Sequence, residues 1–304
     1  MAISALDVKN LREMTGCGMM DCKKALSEAD GNMDKAIEIL REKGLAASAK
    51  KAGRIAAEGA AYAAVIDGVG VVVEVNAETD FVGKNEKFVD FVKGVAATVA
   101  ACNPADMDAL MECKYNGTDL TVTQQQQEMV LVIGENIKVR RFARFADGLS
   151  VPYIHAGGKI GVLVNLEVEG DIDATEIGKD VAMQIAALNP RFWDKSQVTE
   201  DVLAEEKKIM LVQMDNDPKM ASKPAQVKEK IVEGKLNKFY SENCLLQQEF
   251  VKDNEFTVEK YIASAAKALG GKVTFKNAVR FEKGEGIEKK QENFAEEIAK
   301  TLAQ

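Results

Sequence analysis

Gly70-Val71-Val72-Val73-Glu74-Val75 decides the fold, because it returns later in the chain as Gly161-Val162-Leu163-Val164-Asn165-Leu166. Each run is mostly apolar and carries β-branched residues, as strands favour, and each follows a glycine turn, Asp67-Gly68 in one case and Gly157-Gly158 in the other. A tyrosine stands upstream of both turns (Tyr62 and Tyr153). Two further echoes lie downstream. Ala100-Ala101-Cys102-Asn103-Pro104 matches Ala186-Ala187-Leu188-Asn189-Pro190, each closing an apolar helix ahead of a proline. Val139-Arg140-Arg141-Phe142 matches Val279-Arg280-Phe281 as a third strand. The expectation is an α+β protein built on a diverged duplication of a small antiparallel sheet with attached helices.

Around this core the chain divides into five parts. Residues 1–44 read as three short helices. Val8, Leu11 and Met14 mark the first, Met19, Met20, Ala25 and Leu26 the second, and Ala36, Ile37, Ile39 and Leu40 the third, with Gly44 as its C-terminal cap. Helices joined by tight glycine turns, such as Gly16-Cys17-Gly18, resemble the ubiquitin-associated fold, here expected as a docking module. Residues 45–60 are small and lightly charged and read as a linker, either extended or partly helical. The first sheet unit is expected over 61–146 and the second over 147–283. The second carries an insertion at about 197–241, where two amphipathic helices flank the break Asp215-Asn216-Asp217-Pro218. That projecting antiparallel hairpin is a candidate dimer contact or a second arm for a partner, or its helices satisfy each other. Residues 284–304 read as a terminal helix with Ile287, Phe294, Ile298 and Leu302 on one face, used for docking or packed on its own body.

Composition removes several function classes. The chain has 304 residues, 46% hydrophobic and 29% charged, which suits a globular protein with real cores. It lacks an apolar run near the roughly 20 residues that span a bilayer. Its first residues show no basic stretch followed by an apolar one, so a cytoplasmic protein with no membrane contact is expected. With 48 acidic against 40 basic residues, giving a net charge of −8, broad nucleic-acid binding is not expected. The five cysteines are scattered without a C-x-x-C pair, and the single histidine, His155, sits in a glycine-rich hairpin. No metal set, cofactor motif or phosphate loop can be read, and no catalytic residue is assigned.

One turn stands out. Thr79-Asp80-Phe81-Val82 follows the first Val-rich strand and precedes a helical pattern, setting an acid beside a large aromatic. Taken alone, it admits two roles. Thr79 or Asp80 caps the helix while Phe81 packs in its own core, the commoner case; or Phe81 enters an apolar pocket on a partner while Asp80 brings charge to it. Glu78 and Asp80 as a hydrolytic pair is a third reading, too common an arrangement to carry weight.

Several motifs fall in one order along the chain. They are Leu11-Arg12-Glu13-Met14-Thr15-Gly16-Cys17-Gly18-Met19-Met20-Asp21-Cys22-Lys23-Lys24-Ala25-Leu26, then Thr79-Asp80-Phe81-Val82 and Gly134-Glu135-Asn136-Ile137. His155 with Ile160-Gly161-Val162-Leu163-Val164 follows, and then Val279-Arg280-Phe281 with Gly284-Glu285-Gly286-Ile287-Glu288-Lys289. In order and spacing they resemble the bacterial translation elongation factor Ts family, from about residue 6 to about residue 290. The resemblance implies guanine nucleotide exchange on the GTPase elongation factor Tu, without covalent chemistry. It implies that Thr79, Asp80, Phe81 and Val82 dislodge the partner's Mg²⁺, with Phe81 as wedge, Asp80 as auxiliary and the other two as shape. Leu11, Arg12, Met19, Met20, His155, Gly157 and Ile287 are the further partner contacts it suggests; for His155, a structural role beside Tyr153 competes. The polar run Cys244-Leu245-Leu246-Gln247-Gln248 departs from a plain strand and leaves the shape of the hairpin open. The alternative function is an adaptor acting through the amino-terminal bundle, without exchange activity.

Overall fold

The computed structural model describes residues 3–288. It opens with a three-helix bundle: α1 (Ala5–Thr15), α2 (Met19–Glu28) and α3 (Met33–Lys51). Ser4 and Asp7 start α1 with reciprocal bonds. The Asp7 N–H donates to Ser4 Oγ at 3.1 Å, and the Ser4 N–H donates to the Asp7 carboxylate at 3.0 Å. Val8, Leu11, Cys22, Ala25, Leu26, Ala36 and Leu40 fill the bundle interior.

A three-stranded antiparallel sheet follows, β1 (Glu58–Ile66), β2 (Val69–Ala77) and β3 (Lys138–Phe145), with β2 central. Helices α4 (Glu86–Cys102), α5 (Met107–Glu112) and α6 (Val122–Ile133) lie between β2 and β3 in sequence. The second unit begins with β4 (Leu149–His155), β5 (Ile160–Glu169) and α7 (Thr175–Leu188). The insertion forms α8 (Glu200–Asn216), the single turn α9 (Pro218–Ala221) and α10 (Ala225–Asn243). A two-stranded ribbon, β6 (Glu249–Phe250) with β7 (Asp253–Thr257), leads through α11 (Val258–Ala268) to β8 (Lys272–Glu282), which completes the sheet β4-β5-β8. The fold is therefore α+β, with a helical bundle ahead of two antiparallel sheet units.

The two quoted stretches are the central strands of the two sheets. Val71, Val73 and Val75 pack with Phe88, Phe91 and Val95 of α4. Val162, Val164 and Leu166 pack with Ile177, Val181 and Ile185 of α7. The opposite faces meet each other through Ala61, Ala63, Val72, Leu163 and Phe281. Both faces of each central strand are thus covered, which is why these strands read as continuous apolar runs rather than as alternation. The glycine that begins each run has a packing reason. A Cβ on Gly70 would fall 2.4 Å from Ser150, and one on Gly161 would fall 3.2 Å from the Ala61 backbone. The ladders also bulge at the same place, between Glu74 and Val75 in one and between Asn165 and Leu166 in the other. Helices α4 and α7 both end on an asparagine in the left-handed region, Asn103 at φ 48° and Asn189 at φ 46°.

The third helix does not stop at Gly44. It continues to Lys51, and Gly44 is buried within it, where a Cβ would lie 3.2 Å from the Gln127 carbonyl oxygen of α6. The glycine permits close helix approach rather than a left-handed cap; the first part of the linker is helical, and residues 52–57 alone connect it to the sheet. In the insertion, Met214 of α8 and Val232, Leu236 and Phe239 of α10 are buried, while Ile209, Val212 and Val227 face outward. The polar run near Cys244 forms a 3-10 turn, Leu245–Gln247, after which Gln248 is buried with its amide donating to the Glu242 carbonyl at 3.0 Å. Among the described residues no helix is long and apolar enough to cross a membrane. Phe294, Ile298 and Leu302, the remaining face of the expected terminal helix, lie outside the described residues; Ile287 is half-buried in the turn after β8.

Gly234 lies inside α10, and no described heavy atom would come within 4 Å of a Cβ there. Gly234→Ala is expected to stabilise the protein by about 1 kcal/mol through helix propensity. A urea unfolding midpoint that fails to rise would show that this helix contributes nothing to the cooperative unit.

Candidate functional site: a braced turn at one end of the first sheet

Strand β2 ends at Ala77 and α4 begins at Glu86, leaving residues 78–85 to make the turn. Its helix cap is Asn85, whose side-chain oxygen accepts from the N–H groups of Lys87 (3.0 Å) and Phe88 (3.4 Å). Thr79 and Asp80 are therefore not caps. Nor does Phe81 pack in its own core: it is 82% exposed, more than any other exposed large apolar side chain among the described residues. Asp80 beside it is exposed as well. Val82 turns the other way and is buried in the α4–β2 core, and a Cβ on Gly83 would lie 2.8 Å from the Gly59 carbonyl oxygen. The turn is pinned at its base and presents Phe81 at its tip.

The bracing comes from the segment after α6. Gly134 ends that helix in the left-handed region at φ 86°. The Glu135 carboxylate then accepts three bonds: from the N–H groups of Glu78 and Thr79, both at 3.0 Å, and from the Thr79 hydroxyl at 2.6 Å. The contact is reciprocal, because the Asn136 N–H donates to the Glu78 carboxylate at 2.6 Å. Arg54 pairs with Glu78 at 3.4 Å, and its carbonyl accepts from the Asn136 side chain at 2.8 Å.

The start of β1 is common ground for most of the residues expected to touch a partner. Gly59 meets Gly83 of the Phe81 turn. The Ala61 N–H donates to the Gly158 carbonyl at 2.8 Å, which seats the β4–β5 hairpin tip carrying His155 and Gly157. Both are exposed, and the His155 ring lies 3.1 Å from the Tyr153 hydroxyl. Glu58 pairs with Lys283 at 2.6 Å, and Gly284, at φ 71°, leaves no room for a Cβ against the Ala57 carbonyl, which brings the turn carrying Ile287 to the same end. The bundle is joined to the first sheet unit through α4, where Lys87 in the first turn donates to the Gly16 carbonyl at 2.9 Å. Arg12, Met19 and Met20 line a groove of about 730 Å³ on the bundle together with Ile3, Val8 and Lys23. Leu11 is the exception. It points inward one helical turn from Val8 and is wholly buried, so it shapes the bundle and offers a partner no surface.

Behind this end lies a buried charge. Glu74 is fully buried, and its carboxylate accepts from Asn76 (3.0 Å), Arg140 (2.9 Å), Arg141 (2.5 Å) and the Gly284 N–H (2.8 Å). Burial pushes its carboxyl up, but the donors from Asn76, Gly284, Arg140 and Arg141 together outweigh this and hold it below the ordinary glutamate value. Arg141 also reaches Glu285 at 2.9 Å and stacks over the Phe281 ring at 4.3 Å. The cluster thereby ties β3 to the end of β8.

Comparison with known proteins places the chain among the translation elongation factors. The family model described as Elongation factor TS matches residues 78–285. An elongation factor Ts from Clostridium kluyveri is 50% identical over 306 residues, covering 99% of each chain. One from Syntrophotalea carbinolica is 48% identical over 303 residues, covering 98% of this chain and 99% of the relative. One from Clostridium botulinum is 47% identical over 308 residues, covering 99% of both. The chain belongs to the elongation factor Ts family.

Proposed function

We propose that the chain is a guanine nucleotide exchange factor for elongation factor Tu, working in the cytoplasm by binding alone, with no covalent step. The observation that carries this reading is Phe81, held 82% exposed on a braced turn in a chain of this family. A large apolar ring kept in water at the tip of a fixed turn suits an anchor that a partner pocket covers. Entering an apolar pocket of the GTPase beside its magnesium site, Phe81 displaces the segment that supports the ion. Mg²⁺ is held by few protein groups and bridges phosphates, so small shifts of those groups loosen it. The diphosphate then loses its compensating charge and GDP leaves; the factor stays bound until GTP enters. Asp80 adds negative charge near the phosphates, while Thr79 and Val82 fix the turn. Arg12, Met19 and Met20 on the bundle, His155 and Gly157 on the hairpin tip, and Ile287 supply the docking surface.

Such a surface is required by linkage. A factor that weakens GDP binding by some ratio is itself weakened by GDP in the same ratio. Size-exclusion chromatography with nucleotide-free Tu is therefore expected to give a complex that added GDP dissolves. Absence of a complex under both conditions would refute the proposal. Dimerisation through the hairpin, whose Ile209, Val212 and Val227 face outward, is a separate proposal that the elution volume of the free chain reads. An adaptor acting through the bundle alone fits less well, because it leaves the exposed Phe81 without a use.

A further inference from the structure

We propose that Glu135 is a positioning residue for exchange, holding the turn so that Phe81 stands outside the body of the protein before any partner arrives. This rests on the exchange reading above. An aromatic ring surrounded by water is driven towards any nearby apolar surface. The eight residues 78–85 are long enough for an unbraced loop to lay Phe81 down on the protein. Val82 fixes the far side of the ring, but on the near side the backbone is held by Glu135, whose one carboxylate collects the Glu78 N–H, the Thr79 N–H and the Thr79 hydroxyl. Bonds to a charged acceptor are the stronger kind, and three of them converge on two consecutive residues. Glu135 is itself fixed from both sides. Gly134 closes α6 before it; after it, Asn136 bonds Glu78 and Arg54, and Ile137 is buried. The carboxylate therefore belongs to the rigid body and the turn is hung from it. A ring already in its docking position avoids the ordering cost of binding, so loss of the brace should fall on the rate of exchange.

The test is GDP release from elongation factor Tu, driven by the full-length wild-type chain and by Glu135→Ala, Phe81→Ala and the double variant. Glu135→Ala is expected to slow release roughly ten- to a hundredfold, as loss of several charge-assisted bonds implies. The double variant should be no slower than Phe81→Ala, because Glu135 acts through the ring. Glu135→Gln, which keeps one side-chain acceptor and the shape, should recover part of the rate and guards against a folding defect, read independently from melting temperatures. Losses that multiply in the double variant would overturn the proposal, since a brace without its ring should have nothing left to do. So would a wild-type rate for Glu135→Ala beside a slow Phe81→Ala. A wild-type rate for Phe81→Ala would overturn the wedge reading and this inference with it.

Discussion

Phe81→Ala should slow factor-driven GDP release by roughly 30- to 1,000-fold while leaving the protein as stable as before. The range follows from truncating a buried interface anchor, about 2–4 kcal/mol. That the fold survives follows from exposure: with 82% of the residue already in water, truncation removes almost no burial from the free protein. The two readouts separate cleanly. Stopped-flow release of a fluorescent GDP reports the first, and the urea midpoint the second. Loss of both together would mean that Phe81 packs on its own chain in solution, and loss of neither would remove the wedge. Asp80→Ala should have the smaller effect, because an exposed charge contributes through screened field rather than through a desolvated contact.

The largest stability effect is expected at Glu74, far in character from the turn though at the same end of the sheet. Glu74→Gln should destabilise the protein by about 3 kcal/mol at neutral pH. The loss comes less from the value of the ion pairs than from two guanidinium groups left facing a neutral side chain. It sits at the low end for a broken buried pair because Arg140 and Arg141 keep 25% and 30% of their side chains exposed and can rehydrate. The pH dependence has a fixed sign. The native carboxyl is held below its ordinary value, so Glu74 stabilises the fold above about pH 4.3, and that contribution fades as the pH falls through this value towards the lower native one. Wild type and Glu74→Gln should therefore converge in stability on acidification. A constant difference between pH 7 and pH 3 would mean that the carboxylate charge is not what matters. Because the same carboxylate accepts the Gly284 N–H, the variant should also loosen the segment around Ile287.

The duplication was legible because it is written in local pattern: a glycine, a β-branched run and a helix ending in Asn-Pro, twice. What single-sequence reading cannot supply is the pairing of distant positions. Glu135 braces Thr79 from 56 residues away, and although Gly134-Glu135-Asn136-Ile137 stood out as a motif, nothing in its residue types says which turn it holds. The bulges that let Glu74 and Asn165 sit buried on central strands are equally invisible, since a polar residue in an apolar run reads as an imperfection. Gly44 reads as a cap because a cap and a close helix contact both ask for a missing Cβ, and only the position of α6 tells them apart. Leu11 shows the limit of a motif. Of the four residues that the motif suggests as bundle contacts, the i, i+3 spacing from Val8 turns Leu11 inward, whereas Arg12, Met19 and Met20 lie on the surface. The strand-to-helix setting of the Phe81 turn is legible in local pattern, but nothing local says that Asn85, rather than Thr79 or Asp80, caps the helix that follows.

The most direct measurement is the rate at which elongation factor Tu releases fluorescent GDP when mixed with increasing amounts of the wild-type chain, repeated at rising Mg²⁺. Exchange through displacement of the ion requires release to accelerate and saturate with the chain, and excess Mg²⁺ to slow it. A rate that stays at the spontaneous value at every concentration of the chain would contradict the exchange function, and acceleration indifferent to Mg²⁺ would contradict its route.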